Sequence, residues 1–420
     1  MNETLIIENF VGIRNLKIQL KQINILIGPQ ATGKSIVAKL LFYFKNFVWE
    51  LFSTVENEQT KRDLDNRVLG KFEEYFPPDS WGKGKFTIRY EMQNVFIEVT
   101  REDENSPKVS LDYSDYFKKE LTNLRSSFKK LVEQRPDDQD YDAFKEILKV
   151  RRIFMRNISQ QLDDLSTYSQ LFIPAGRSFF ANLQSSIFSF LSSNNAIDPF
   201  LREFGAFYES IKRFPGAWPK YPNEKINRNQ IESLVESILC GRYENEKGQD
   251  YLIISDGRKI KVANSSSGQQ EVLPLAIILS TLAFTFSGRR TIYIEEPEAH
   301  LFPTAQRDII DLIANVFNVS KDPLQFLITT HSPYILTAAN NLIHAGRLYK
   351  ELTDKKKLEQ LENIVPRERM LIPENIAVYS LGYETCENIS CSETGLIETN
   401  VIDEVSDHLA IQFDNLLDIE

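Results

Sequence analysis

Ile23-Asn-Ile-Leu-Ile27-Gly28-Pro29-Gln30-Ala31-Thr32-Gly33-Lys34-Ser35 carries the strongest structural instruction in the chain. The apolar run 23–27 reads as a buried strand, and residues 36–49, rich in Leu, Phe, Ala and Lys, place apolar side chains at helical spacing. Between them, Gly28 to Ser35 match the pattern GxxxxGKS/T in the context its mechanism needs, after a strand and opening a helix. The glycines let backbone N–H groups wrap around phosphates, and the helix N-terminus favours their negative charge. Lys34 can reach the β- and γ-phosphates, and the Ser35 hydroxyl can ligate Mg²⁺. The candidate phosphate cradle is therefore Gly28, Pro29, Gln30, Ala31, Thr32, Gly33, Lys34 and Ser35, with Lys34 also a catalytic cation.

Further along, Arg290-Thr-Ile-Tyr-Ile-Glu295-Glu296-Pro-Glu298 is an apolar strand ending in two acids, the form of a Walker B segment. Glu295, standing where most such proteins carry Asp, would hold the metal. Glu296 would orient and polarise the water that attacks the γ-phosphate. Taken alone, paired glutamates at a strand end are ordinary solvated acids; downstream of a phosphate loop the functional reading is favoured. Asn264-Ser-Ser266-Ser-Gly268-Gln269-Gln-Glu271 precedes a long apolar helix, and its small residues leave a helix N-terminus bare to receive a phosphate, although serine is also an everyday helix cap. Leu327-Ile-Thr-Thr330-His331-Ser332-Pro333 sets one of four histidines at a strand end, a position suited to a γ-phosphate sensor.

The 420 residues, 42% apolar and 26% charged, make a folded chain with a substantial core and exclude collagen-like, low-complexity and disordered classes. Lys and Arg number 49 against 59 Asp and Glu, a net charge of −10, so contact with nucleic acid or an anionic membrane would need a local patch. Cys240, Cys386 and Cys391 form no CxxC pair and no zinc spacing, which fits a reducing cytoplasm. The N-terminus lacks the basic region of a signal peptide, and the uncharged stretch 272–288, with Ser280, Thr281, Thr285 and Ser287, is too short for a bilayer span. No membrane association is expected. Residues 51–84 are polar and end in turn signals, 86–100 alternate as a hairpin, and 116–165 read as two antiparallel helices broken at Arg135-Pro136. A second helical break falls at Phe214-Pro-Gly-Ala-Trp-Pro219, and Asp256-Gly257 signals a two-residue hairpin. From residue 270 strands and helices alternate, the pattern of a parallel sheet covered by helices.

Phosphate loop, Ser-Ser-Gly-Gln signature, Glu-Glu pair followed by Pro-Glu-Ala-His-Leu301, and Thr-Thr-His-Ser-Pro resemble, in that order, the ABC-type ATPases of the SMC, RecF and OLD group. The resemblance covers residues 1–50 and 170–345. It implies an α/β P-loop NTPase head with a mainly parallel sheet, an antiparallel β subdomain and a short helical insertion. The division it suggests is 1–50 and 170–345 for the head, 51–169 for the insertion and 346–420 for a small C-terminal region. The implied cofactors are ATP and Mg²⁺. In that group two heads sandwich two nucleotides, so Ser266, Gly268 and Gln269 would act on ATP held by the other subunit of a homodimer or higher oligomer. The phosphate loop and the Ile-Pro-Ala-Gly-Arg177 segment also look like the compact ATPases of bacterial anti-phage systems such as PARIS. That likeness implies a sensor or scaffold controlling a separate effector, a Toprim-type nuclease, with DNA or a phage protein as trigger. The chain departs from its relatives in two ways: the insertion is too short for SMC coiled-coil arms, and residues 346–420 contain no DxD of an OLD-type nuclease. The Q-loop glutamine has no clear counterpart, since Gln170 precedes the predicted strand and Arg177 follows it. The competing reading is a RecF-like DNA-repair ATPase using Lys129, Lys130, Arg151, Arg152 and Arg156 on the insertion, against the plain reading of these as a solvated helix face.

Overall fold

A computed structural model describes residues 3–103, 108–133, 143–181, 197–212, 225–246, 248–284, 288–398 and 411–416. At its start, alternation of apolar and polar residues builds an antiparallel pair, β1 (Glu3–Phe10) and β2 (Ile13–Leu20), turning about Val11-Gly12. Both turn residues are left-handed, at φ 46° and 81°. β3 (Ile23–Ile27) is buried at every position and leads through the phosphate loop into the helix Lys34–Lys45. Helices Phe47–Glu56 and Lys61–Tyr75 follow. Then β4 (Phe86–Met92), β5 (Val95–Arg101) and β6 (Ser110–Tyr113) join the first pair in one antiparallel sheet, ordered β2-β1-β4-β5-β6. The helices Asp115–Glu133 and Ala143–Leu162 follow, within the 51–169 stretch expected as an insertion. Within it Arg151 lies over the Trp49 ring at 4.7 Å, so this member of the basic set is engaged with the body of the protein.

The second half supplies the other layer. β7 (Ser169–Ile173) precedes the helices Pro199–Lys212 and Lys225–Leu239. A small sheet of β8 (Arg242–Glu246), β9 (Gln249–Ile253) and β10 (Lys259–Lys261) leads to the helix Ser267–Phe284. Next come β11 (Arg290–Glu295), the helix Pro303–Val319, β12 (Leu324–Thr330) and the helix Pro333–Glu351. β13 (Ile376–Leu381) and β14 (Cys386–Asn388) complete the main sheet, ordered β14-β13-β3-β12-β11-β7. All its pairs are parallel except β13 with β14. Central strands covered on both faces must be apolar throughout, as β3 and β12 are buried at every residue.

Three features differ from what local pattern suggests. The polar segment after residue 51 is largely helical, because Leu64, Val68 and Phe72 repeat every four residues and bury one stripe, while Thr60 and Asp63 close a capping box. Residues 376–381, set apart by sequence, pair in parallel with β3 inside the main sheet. The Asp256-Gly257 connection is longer than a two-residue turn: residues 254–258 link β9 to β10, with Gly257 left-handed at φ 84°. The breaks at Arg135-Pro136 and at 214–219 lie outside the described residues, as does most of the acidic segment 401–420, of which 411–416 is helical. No helix among the described residues is long and apolar enough to cross a membrane.

A buried polar network joins the two sheets. The Glu3 carboxylate accepts from Lys45 Nζ and from the Tyr90 hydroxyl at 2.6 Å through Oε1, and from Gln325 Nε2 at 2.9 Å through Oε2. Gln325 Oε1 in turn accepts from Lys45 at 2.9 Å and from Thr291 Oγ1 at 3.0 Å. Burial alone would raise the Glu3 carboxyl, but the Lys45 ammonium and these donors hold it below the ordinary range. Removing one partner strands the other charge in the interior. Lys45→Met is expected to lower stability by about 3–5 kcal/mol, read as a fall in urea midpoint at unchanged m-value. A loss below about 1 kcal/mol, the level of an exposed pair, would mean that the network does not join the layers.

Candidate functional site

Parallel register assembles the site. β12 lies between β3 and β11, with Thr329 opposite both Leu26 and Glu295, so the three strands end in one row. At the carboxyl ends of such strands the chain must leave the sheet, and the resulting crevice is where α/β sheets bind ligands.

The phosphate loop leaves β3 under tight packing. A Cβ on Gly28 would stand 2.0 Å from the Leu381 carbonyl oxygen, and one on Gly33, itself at φ 93°, would stand 2.7 Å from Ile13 Cδ1. Neither position tolerates a side chain. Ala31 is also left-handed, at φ 62°, and left-handed residues within such a loop are a feature of anion-binding nests. Lys34 Nζ donates to the carbonyls of Gly28 at 2.7 Å and Pro29 at 2.6 Å. Burial lowers the Lys34 ammonium to a pKa of about 8, against the pull of Glu296 and Glu298 in the other direction. Thr32 Oγ1 braces the loop on Pro29 O at 3.0 Å. Pro29, Gln30 and Ala31 stay on its outer side, exposed.

Glu295 ends β11 inside the protein. Its Oε2 accepts from the Ala175 N–H at 3.3 Å, the Ser35 hydroxyl lies beside the carboxylate, and burial raises its carboxyl above the usual range. Its Oε1 is buried without a hydrogen-bond partner. A hydroxyl beside a buried carboxylate with an unsatisfied oxygen is an all-oxygen donor set suited to Mg²⁺. Among the described residues no cluster of three or more His, Cys, Asp or Glu could complete a metal cage. Ser35 and Glu295 would thus hold Mg²⁺ in the way that ion prefers, with phosphate and water as the remaining ligands.

Glu296, the next residue, is left-handed at φ 43°, a sparsely populated state for a side chain of this size. Its backbone N–H donates to Thr329 O at 2.9 Å, and its carboxylate Oε1 lies 3.0 Å from His331 Nε2. With the proton on Nε2, His331 donates to Glu296 while its Nδ1 stands 3.3 Å from Lys34 Nζ and 2.9 Å from Gly28 O. Lys34, His331 and Glu296, drawn from three strand ends and up to 297 residues apart, therefore form one contiguous polar chain.

Glu298, unassigned by sequence, secures that histidine. Its Oε1 accepts from the His331 backbone N–H and the Thr330 hydroxyl, each at 2.7 Å. The signal available was an acid in Glu-Pro-Glu beside a Thr-Thr-His strand end, but nothing local says that it is buried. Gln170 does not face the site: its Oε1 accepts from the Tyr293 hydroxyl at 2.7 Å. The signature residues are engaged with their own helix start. Ser266 caps its own helix in a reciprocal box, its Oγ receiving the Gln269 N–H at 3.3 Å while Gln269 Oε1 receives the Ser266 N–H at 3.1 Å. Ser266 and Ser267 remain exposed, whereas Gly268 packs against His300 O, which a Cβ would approach to 2.6 Å. Among the described residues no hydrogen bond joins Ser266, Gly268 or Gln269 to the phosphate loop or to Glu296 of the same chain.

Residues 166–336 match the family model described as an AAA ATPase domain. The chain thus carries an ATPase domain over these residues. Over 126 residues this ATPase is 25% identical to the "Retron Vc95 probable ATPase" of Vibrio cholerae serotype O1 biovar El Tor, a match covering 28% of the chain. It spans about a quarter of that relative's length, 24%. Looser likenesses link it to an SMC head bound to the C-terminal winged-helix domain of ScpA (TM-score 0.41, 12% identity, 93% of this chain and 97% of that one) and to the SMC head domain from Thermotoga maritima (0.33, 13%, 80% and 92%).

Phosphate binding should titrate with Lys34. A bound polyanion favours its charged form, so affinity is full below about pH 8 and falls as pH rises through that value. Without divalent cation, ATP affinity is expected to drop by up to about tenfold per pH unit above the midpoint, measured by calorimetry from pH 7 to 10. Lys34→Arg, charged throughout, should flatten the profile; a slope persisting in that variant would assign the titration elsewhere.

Proposed function

We propose that this ATPase hydrolyses ATP at a composite site between two copies of the chain, and that the nucleotide state controls a separate effector in anti-phage defence. The observation that carries the proposal is the Lys34–His331–Glu296 chain: one cation for the β- and γ-phosphates, one ring at the γ-phosphate and one carboxylate for the attacking water, in continuous contact. The phosphate loop binds and orients the triphosphate. Glu296 takes the proton of the water, and His331, held by Glu298, keeps that carboxylate aimed. Mg²⁺ held by Ser35 and Glu295 supplies charge neutralisation at the phosphates when bound.

The dimeric half rests on Ser266, Gly268 and Gln269. Ser266 and Ser267 at their helix start are exposed yet make no hydrogen bond with the phosphate loop of the same chain, so the phosphate would come from a second copy. Phe302 and Tyr334, one residue after Leu301 and two after Ser332, are 75% and 54% exposed, apolar surface of the kind a protein interface covers. The control of an effector, a nuclease on this reading, rests on the resemblance of the motif set to defence ATPases and on the partial likeness to a retron ATPase. The place of action would be the cytoplasm.

Glu296→Gln should lower phosphate release by about 10²–10⁴-fold, and Lys34→Ala should abolish ATP binding; wild-type rates no higher than those of either variant would refute hydrolysis. With ATP, Glu296→Gln is expected to double its mass in light scattering while Lys34→Ala does not change. A monomer in all conditions would reject the composite site and leave hydrolysis standing. In a host carrying the complete system, both variants should lose protection in plaque assays at unchanged protein level; protection retained would reject the defence role.

A further inference from the structure

Among the described residues Arg177 is the largest fully buried side chain, at 0% exposure, and none of the roles above uses it. It follows β7 after Gly176, which is left-handed at φ 78° and turns the chain back under the site. Its guanidinium meets three elements at once. Nη1 donates to Pro174 O at 2.8 Å and Glu295 O at 2.7 Å, Nη2 donates to Glu296 O at 3.0 Å, and Nε donates to Glu271 O at 3.1 Å. The Glu271 carboxylate, 1% exposed near the start of the signature helix, lies 3.4 Å from Nη2. It also accepts the backbone N–H groups of Arg177 at 2.9 Å and Ser178 at 2.8 Å.

A buried ion pair is weak evidence for stability, because desolvation offsets much of the attraction. The unusual feature is where the donors point. Two go to consecutive carbonyls at the end of β11, and the second belongs to Glu296, whose left-handed backbone persists only if its surroundings over-determine it. Thr329 O holds the N–H of that residue and Arg177 holds its C=O. With both peptide groups pinned, the carboxylate has one approach to His331. The same guanidinium is tied to the helix that begins at Ser267, so the aim of Glu296 and the position of the signature are set by one side chain.

We propose that Arg177 is a positioning residue for hydrolysis, holding the strained backbone of Glu296 in its productive conformation and linking it through Glu271 to the signature helix. The proposal rests on Glu296 as the base that activates water. Lysine retains the charge opposite Glu271 but lacks the planar fork that serves four carbonyls.

Arg177→Lys in the full chain is expected to lower kcat by about 10- to 100-fold, with the dissociation constant for ATP within twofold of wild type. Glu271→Gln, which leaves the guanidinium in place but weakens its anchor, should lower kcat less than Arg177→Lys does. The decisive variant is Arg177→Lys combined with Glu296→Gln: if Arg177 acts through Glu296, its residual rate equals that of Glu296→Gln alone. A further proportional loss in the double variant, wild-type kcat in Arg177→Lys, or loss of ATP affinity in step with kcat would overturn the positioning role. Should Arg177→Lys fail to fold, Glu271→Gln and its combination with Glu296→Gln carry the same comparison, with proportional loss again the overturning result. Wild-type hydrolysis unaffected by Glu296→Gln would instead overturn the reading of the site itself.

Discussion

Everything at the site depends on one strand sitting between two others. β12 pairs in parallel with β3 on one side and β11 on the other, and this register brings residues 28, 296 and 331 to the same edge of the sheet. Had β12 slipped by one residue, its side chains would exchange faces, and the His331 ring would leave the space between Lys34 and Glu296. The register is held from below by apolar side chains on both faces and at one end by the Glu3–Lys45–Gln325 network. Gln325 is the second residue of β12, so the polar bolt and the histidine sit at opposite ends of the same strand.

The site is arranged so that few of its charges are fully satisfied by the protein alone. Lys34 is buried with only carbonyls and a histidine ring at hydrogen-bond distance, and Glu295 keeps an orphan oxygen. Unpaired buried groups are unfavourable in a folded protein. A polyphosphate with its cation would relieve both, which is the physical reason the loop and the acid occupy the positions they do. The groups around them are, by contrast, heavily tied. Glu298 holds the backbone of His331, Arg177 holds that of Glu296, and Gly268 packs on the carbonyl of His300.

Much of this was legible in advance because it is local. A strand, a glycine-rich turn and a helix need only about a dozen consecutive residues to declare themselves, and the same holds for Glu295-Glu296 at a strand end and for His331 after Thr-Thr. Elements whose stability comes from elsewhere were not legible. The helix Lys61–Tyr75 looks polar because only a narrow stripe of it is buried, and β13 looks like part of a detached tail because its partner, β3, lies some 350 residues earlier. Ser266 reads as a bare helix start, yet its own Gln269 supplies the cap; a pattern of residue types does not reveal which of two acceptable partners a hydroxyl takes.

Sequence alone determined which residue types are suited to phosphate and metal, since the chemistry of Gly28 to Ser35 and of the acid pair is written in their order and spacing. Tertiary structure alone decided that Glu298 would grip His331, that Glu271 and Arg177 would bind the signature helix to the back of Glu296, and that residues 376–381 would flank the phosphate loop. Those contacts join segments about 30 to 350 residues apart and act through buried backbone groups. Every residue has such groups, so only the packing of distant strands selects which of them meet.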